Sequence, residues 1–133
     1  MPRLSAIYAR TSLVWLAVGS TLGGAILWSK VAPIPWAWQF LTAHIHLLTW
    51  GWLLQLTLGV AYWILPRFGS ERPRAWLAVA AYVLLNAALL LTTVASLLPL
   101  AWPGPAVSAL QLLALLAFAL HAFPRARRSA YGK

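Results

Sequence analysis

The sequence predicts an all-α protein, a single domain (1–133) of four transmembrane helices. Of its 133 residues, 62% are hydrophobic and only 8% are charged, and the mean hydropathy is +0.79. A soluble domain carries about 25% charged residues, so this composition is typical of a membrane protein. Four apolar stretches are each long enough to cross the hydrocarbon core of a bilayer, which is about 30 Å thick.

The four spans are expected at about 11–28, 41–65, 75–98 and 106–123. The first span contains Gly19 and Gly23, and small residues at this spacing let two helices approach closely. We expect this glycine face to pack on a neighbouring helix of the same subunit. A contact between two copies of the chain is the alternative.

Polar side chains inside the third and fourth spans are few. Asn86 lies near the middle of the third span, and Gln111 lies in the fourth. Buried amides in membrane proteins often join helices by hydrogen bonds. We therefore interpret both residues as helix-joining groups and favour this over a role in substrate or proton passage.

The charges predict how the chain is oriented. Arg and Lys number ten against a single acidic residue, Glu71. Nine of the ten lie in the N-terminus, the loop at 67–74 and the C-terminal tail, so the positive-inside rule places both termini in the cytoplasm of a multi-pass inner (plasma) membrane protein. The cations stand in short clusters beside apolar spans, which favours contact with anionic lipid and argues against nucleic acid as a partner.

Cysteine is absent from the sequence. Disulfides, thiolate metal sites and covalent haem attachment through a Cys-x-x-Cys-His motif are therefore excluded.

The second span carries two of the three histidines, His44 and His46, close to its start. An imidazole inside an apolar span costs free energy unless it finds a partner, and we interpret that partner as a haem iron. Residues two apart point about 200° apart around a helix axis. The two rings therefore cannot hold one iron together; each needs a second ligand from another copy of the chain, or leaves the iron five-coordinate.

Each histidine begins a different face of the predicted helix. The face of His44 continues through Gly51, which would give room for a flat porphyrin, and through Gln55. The face of His46 continues through Trp50. Neither face holds a carboxylate or a third ligand, so one subunit does not form an ordinary tetrahedral zinc site.

Two further residues lie outside these faces. Trp38, in the connector before the second span, suits the headgroup region and is a candidate for covering a haem edge. His121 lies near the far end of the fourth span, on the order of 25 Å away at 1.5 Å rise per residue. We interpret His121 as a residue of the membrane interface and not as a ligand.

The stretch TAHIHLLTWGW, followed by an apolar run and Pro66-Arg67, resembles the haem-ligating helices of subunit I of the haem-copper oxidase and nitric oxide reductase superfamily. In that family's tenth helix two histidines two apart serve two neighbouring haems; its second helix carries one haem ligand. The motif similarity covers about 41–74. The resemblance implies haem b as cofactor, with His44 and His46 as its iron ligands.

The family subunit has twelve helices in three arcs of four. The resemblance therefore implies that one chain is one arc and that a homotrimer rebuilds the ring. Each haem would then lie between subunits, with His44 from one copy and His46 from the next.

Several features of the family are missing from this sequence. It has no counterpart of the copper-site histidines, no acidic residue within a span and no outer arginine pair; Lys30 is the only cation predicted on that side. These departures argue against oxygen reduction with proton pumping, and they leave open whether the protein is an enzyme.

The predicted function is that of a membrane b-type haem protein for electron transfer, from a donor that the sequence does not identify, or for binding O2 or NO. Two alternatives remain at this point. The same histidine pair could take copper across a subunit interface, or the chain could be a cofactor-free structural subunit of a larger complex.

Overall fold

The computed structural model describes residues 2–65, 74–98 and 103–131, with side chains as far as residue 126. Its α-helices are α1 (Arg3–Trp28), α2 (Leu41–His46), α3 (Gln55–Ile64), α4 (Ala75–Leu97) and α5 (Gly104–Tyr131). A 3₁₀ turn at Ala37–Phe40 leads into α2, and a π-helical segment at Leu47–Leu54 joins α2 to α3. We call the continuous helical stretch Ala37–Ile64 the second span.

Four helical stretches of the described chain are long and apolar enough to cross a membrane, which confirms the predicted all-α fold with four such helices. Helix α1 packs along the second span, the second span contacts α4, and α4 packs along α5. Large apolar side chains cover the outside of the bundle, as expected where lipid is the solvent. The buried core is made of Tyr8, Leu47, Leu58, Tyr62, Ala78, Ala81, Leu85, Leu89, Ala114 and Phe118.

Helix α1 begins at Arg3, about eight residues before the predicted start of the first span. The extra turns are held by buried hydroxyl groups: Ser5 Oγ donates to the carbonyl of Gly59 at 2.6 Å, and Tyr8 Oη donates to that of Ala78 at 2.8 Å. Arginine flanking a span can bury its stem and keep its guanidinium at the surface. The helix therefore begins about two turns before the predicted span.

A row of polar contacts joins α1 to α4. Thr11 Oγ1 and Tyr82 Oη lie 2.8 Å apart, and Trp15 Nε1 donates to Asn86 Oδ1 at 2.8 Å. The amide of Asn86 in turn donates to the carbonyl of Tyr82 at 2.8 Å. The helix-joining role predicted for Asn86 is confirmed.

Helix α5 continues past the predicted end of the fourth span at 123 and runs through Pro124. Proline removes one backbone donor but does not always end a helix, and Arg125 on the next position is fully buried. Four helix ends share one end of the bundle: the start of α1, the end of α3, the start of α4 and the end of α5. The contacts of Ser5, Tyr8 and His121 with the carbonyls of Gly59, Ala78 and Arg74 show this. The basic loop at 67–73 and the side chains of Arg127, Arg128 and Lys133, on which the predicted orientation rests, lie outside the described residues.

Candidate functional site

The histidine pair lies immediately before the π-helical segment. His44 and His46 belong to α2, and the segment at Leu47–Leu54 follows them directly. Thr49 Oγ1 donates to the carbonyl of Ile45 at 2.7 Å, so a side chain competes for the acceptor that the Thr49 amide would use in an α-helix. π-Helical turns are rare and occur frequently at functional sites.

His44 is fixed against α1 by one short contact. Its Nδ1 lies 2.7 Å from the carbonyl oxygen of Gly19. Its ring lies on Gly23, where an added Cβ would stand 2.6 Å from His44 Cε1. At Gly19 an added Cβ would stand 2.9 Å from Leu48. The glycine face of the first span thus packs on the second span of the same chain, as predicted.

The Gly19 contact fixes the tautomer of His44. A carbonyl oxygen can only accept a hydrogen bond, so Nδ1 carries the proton and the neutral ring keeps its lone pair on Nε2. The same reasoning applies to His46, whose Nδ1 lies 3.0 Å from the carbonyl oxygen of Thr42. Both rings are therefore in the tautomer that binds a metal through Nε2.

A groove of about 470 Å³ opens beside His44, between α1 and the start of the second span. Its volume lies within the range of about 300–1,000 Å³ that small-molecule and cofactor sites show. At Gly24 an added Cβ would meet nothing within 4 Å, so this part of the groove is open. The lining consists of Ser20, Gly23, Gly24, Ile26, Leu27, Leu41, His44 and Leu48.

The face that continues from His46 lies on the other flank of the second span. Trp50, Leu53 and Thr57 line a groove of about 450 Å³ that Leu115 of α5 completes. A further apolar groove of about 580 Å³ continues from Thr57 to Leu65. The two predicted faces thus lie on opposite flanks, one towards α1 and one towards α5.

Gly51 and Gln55 share the α1 side of the second span with His44, as predicted, but they lie inside the bundle. A Cβ at Gly51 would stand 2.9 Å from Trp15 and 3.2 Å from Leu89. Gln55 is fully buried, and its Nε2 lies 3.5 Å from the carbonyl oxygen of Tyr8. The space predicted for a porphyrin beside Gly51 is filled by Trp15 of α1 and Leu89 of α4, because both helices pack against this part of the second span.

Trp38 and His121, which lie outside these two faces, differ in their burial. Trp38 is about half exposed and is not among the residues that line the groove of His44. His121 is 1% exposed, at the opposite end of the bundle from His44. The ring is buried within the bundle because Tyr62 and Arg125 pack against it; the membrane-interface position expected for His121 stays a prediction.

Within the described residues no group of three His, Cys, Asp or Glu side chains comes together. A site that needs three or four protein ligands is therefore not formed by that part of one chain, whereas an axial haem ligand requires only one. Sequence reasoning noticed the Gly19–Gly23 spacing but did not connect it with His44 or identify Gly24 as the open part of the groove.

Comparison of the chain with protein-family models, with curated proteins and with solved structures finds no match. The resemblance to haem-copper oxidase subunit I therefore rests on the sequence motif at 41–74 and on the number of helices, and it stays a prediction.

Proposed function

We propose that this protein is a membrane b-type haem protein, related to the haem-copper oxidase catalytic subunit, in which His44 supplies an axial iron ligand through Nε2. The observation that carries the proposal is the 2.7 Å contact between His44 Nδ1 and the Gly19 carbonyl. It directs the lone pair to Nε2 and holds the ring in place, as a hydrogen bond from the other ring nitrogen does for metal-binding histidines.

The residues around His44 fit such a cofactor. The groove is apolar apart from Ser20 and His44, and Gly23 and Gly24 bring the α1 backbone close to it without side chains. Lys30 follows α1 at the same end and is exposed, so it is available for a propionate. Bound haem would supply one-electron redox chemistry and an iron able to take a small gas.

The groove offers no second strong ligand beside His44. His46 is in the same tautomer on the other flank of the second span, and it cannot reach the iron of its own chain's His44. We propose that His46 of a neighbouring copy completes the coordination in a closed head-to-tail oligomer, with a trimer as the first expectation. With both axial positions filled, the site would transfer electrons; with the second one open, it would bind O2 or NO.

The test is the absorption spectrum and haem content of the detergent-purified protein, expressed with added haem precursor. We expect a Soret band, α and β bands on reduction, and one haem per protomer. A colourless protein with stoichiometric copper would replace this function with copper handling. A colourless protein without copper would leave a structural subunit.

A further inference from the structure

A second polar cluster is buried at the end of the bundle opposite His44, and the proposed haem site makes no use of it. We call it the Arg125 cluster; it consists of Tyr62, His121 and Arg125, with the backbone carbonyls of Leu65 and Arg74. Arg125 is 0% exposed and His121 is 1% exposed. A buried guanidinium is costly unless its donors are satisfied, so the arrangement needs a physical account.

The contacts define the protonation state of His121. Arg125 Nη1 lies 2.8 Å from His121 Nε2. A guanidinium has donors and no acceptor, so Nε2 must accept and the ring must be neutral. The remaining ring proton is on Nδ1, which donates to the carbonyl of Arg74 at 3.1 Å.

The same cluster ties three helix ends together. Arg125 also donates to the carbonyl of Leu65, the residue that follows α3, where the helix dipole favours a cation. The Tyr62 ring stacks on His121 at 5.3 Å and lies 5.8 Å below the Arg125 guanidinium. Two open grooves lie between the second span and α5 elsewhere, and this cluster adds polar contacts between the end of α3 and α5.

We propose that the Arg125 cluster is a proton-sensitive clasp, closed while His121 is neutral and opened when His121 is protonated. Protonation at Nε2 removes the acceptor of Arg125 Nη1, which lies 2.8 Å away, and places a second positive charge beside the guanidinium. Among the described residues, the groups facing the ring are Arg125 and Phe118 from α5, Tyr62 from α3 and the Arg74 carbonyl at the start of α4. Opening frees the end of α5 from α3 and α4.

Hydrogen–deuterium exchange of the purified wild-type protein tests the clasp, with rates corrected for the intrinsic effect of pH. An ordinary imidazole ionises near a pH of about 6.5. If the closed form excludes the added proton, protection of the segments around Leu65 and 118–126 falls by up to about tenfold per pH unit below that value. Protection that stays constant between pH 8 and pH 5 in these segments would overturn the proposal.

Two variants test which residues cause the pH dependence of exchange protection. His121→Gln keeps a neutral acceptor and cannot gain a proton, so its protection should not change with pH. Arg125→Gln removes the cation that repels a protonated ring, so its pH dependence should shrink. A wild-type loss of protection that persists unchanged in His121→Gln would place the sensitive group elsewhere and contradict the clasp.

Discussion

The Nδ1 atom of His44 lies 2.7 Å from the carbonyl oxygen of Gly19. This contact joins the second span to α1 at one end of the bundle and determines which ring nitrogen can bind a metal. It depends on Gly23, one turn further along α1, because the ring occupies the position that a Cβ would take there. The candidate site is therefore built from two helices, although only one carries the proposed ligand.

Replacing Gly23 with alanine should displace the His44 ring. The added methyl group would stand 2.6 Å from Cε1, and overpacking of this kind typically costs about 1–3 kcal/mol. We expect ¹⁵N NMR of the imidazole to report loss of the Nδ1 hydrogen bond, together with lower stability. Gly24→Ala is the matched control, since its methyl group meets nothing within 4 Å; equal effects of both changes would refute the assigned geometry.

A substitution that fills the groove and leaves His44 unchanged tests whether the cofactor occupies the groove. Gly24→Leu adds a side chain to the open part of the groove, so we expect haem content to fall several-fold. The imidazole spectrum of His44 in the haem-free protein should stay as in wild type. Full haem retention by Gly24→Leu would show that the cofactor does not occupy this groove.

Haem shared between copies predicts complementation. His44→Ala and His46→Ala should each lose haem when expressed alone, because each removes one axial ligand from every site. When the two variants are co-expressed with different tags and purified as mixed oligomers, these oligomers should regain part of the haem. Some of their interfaces then pair an intact His44 with an intact His46. Mixed oligomers that contain both chains and no haem would contradict a ligand from the neighbouring copy.

The polar row between α1 and α4 should contribute to stability. Asn86→Leu leaves the Trp15 indole N–H without its acceptor, and interhelical hydrogen bonds in membranes are worth about 1 kcal/mol. We expect the free energy of unfolding to fall by this amount, as measured in micelles that mix a mild with a denaturing detergent. Thr93→Val is the control, because among the described residues Thr93 Oγ1 bonds to the Leu89 carbonyl of its own helix and to no other helix; the same loss in both variants would contradict the special role of Asn86.

The periodicity and the apolar composition were enough to predict the four spans and the opposite flanks of the second span. A helix pattern fixes which residues share a face, so His44, Gly51 and Gln55 do lie together on the α1 side. It does not fix what covers that face. Trp15 fills the space beside Gly51, and this depends on the register between α1 and the second span, which no local pattern encodes.

The boundaries and the buried charges were harder to predict. Arg3 and Arg10 suggested the edge of the membrane, yet α1 includes Arg10 and begins at Arg3, because Ser5 and Tyr8 find carbonyl partners on other helices. His121 beside a basic tail suggested a wetted interface, and only the tertiary fold brings Arg125 and Tyr62 against it. In both cases contacts between residues far apart in the sequence determine the structure, and the local composition does not predict them.

The most direct measurement of the central claim is the reduced-minus-oxidised spectrum of three purified proteins: wild type, His44→Gly and His121→Ala. Coordination by His44 Nε2 predicts a haem spectrum for wild type and for His121→Ala. It also predicts loss of haem in His44→Gly, with recovery when free imidazole is added to occupy the vacated ligand position. A haem spectrum in His44→Gly that equals that of wild type without imidazole would contradict the account.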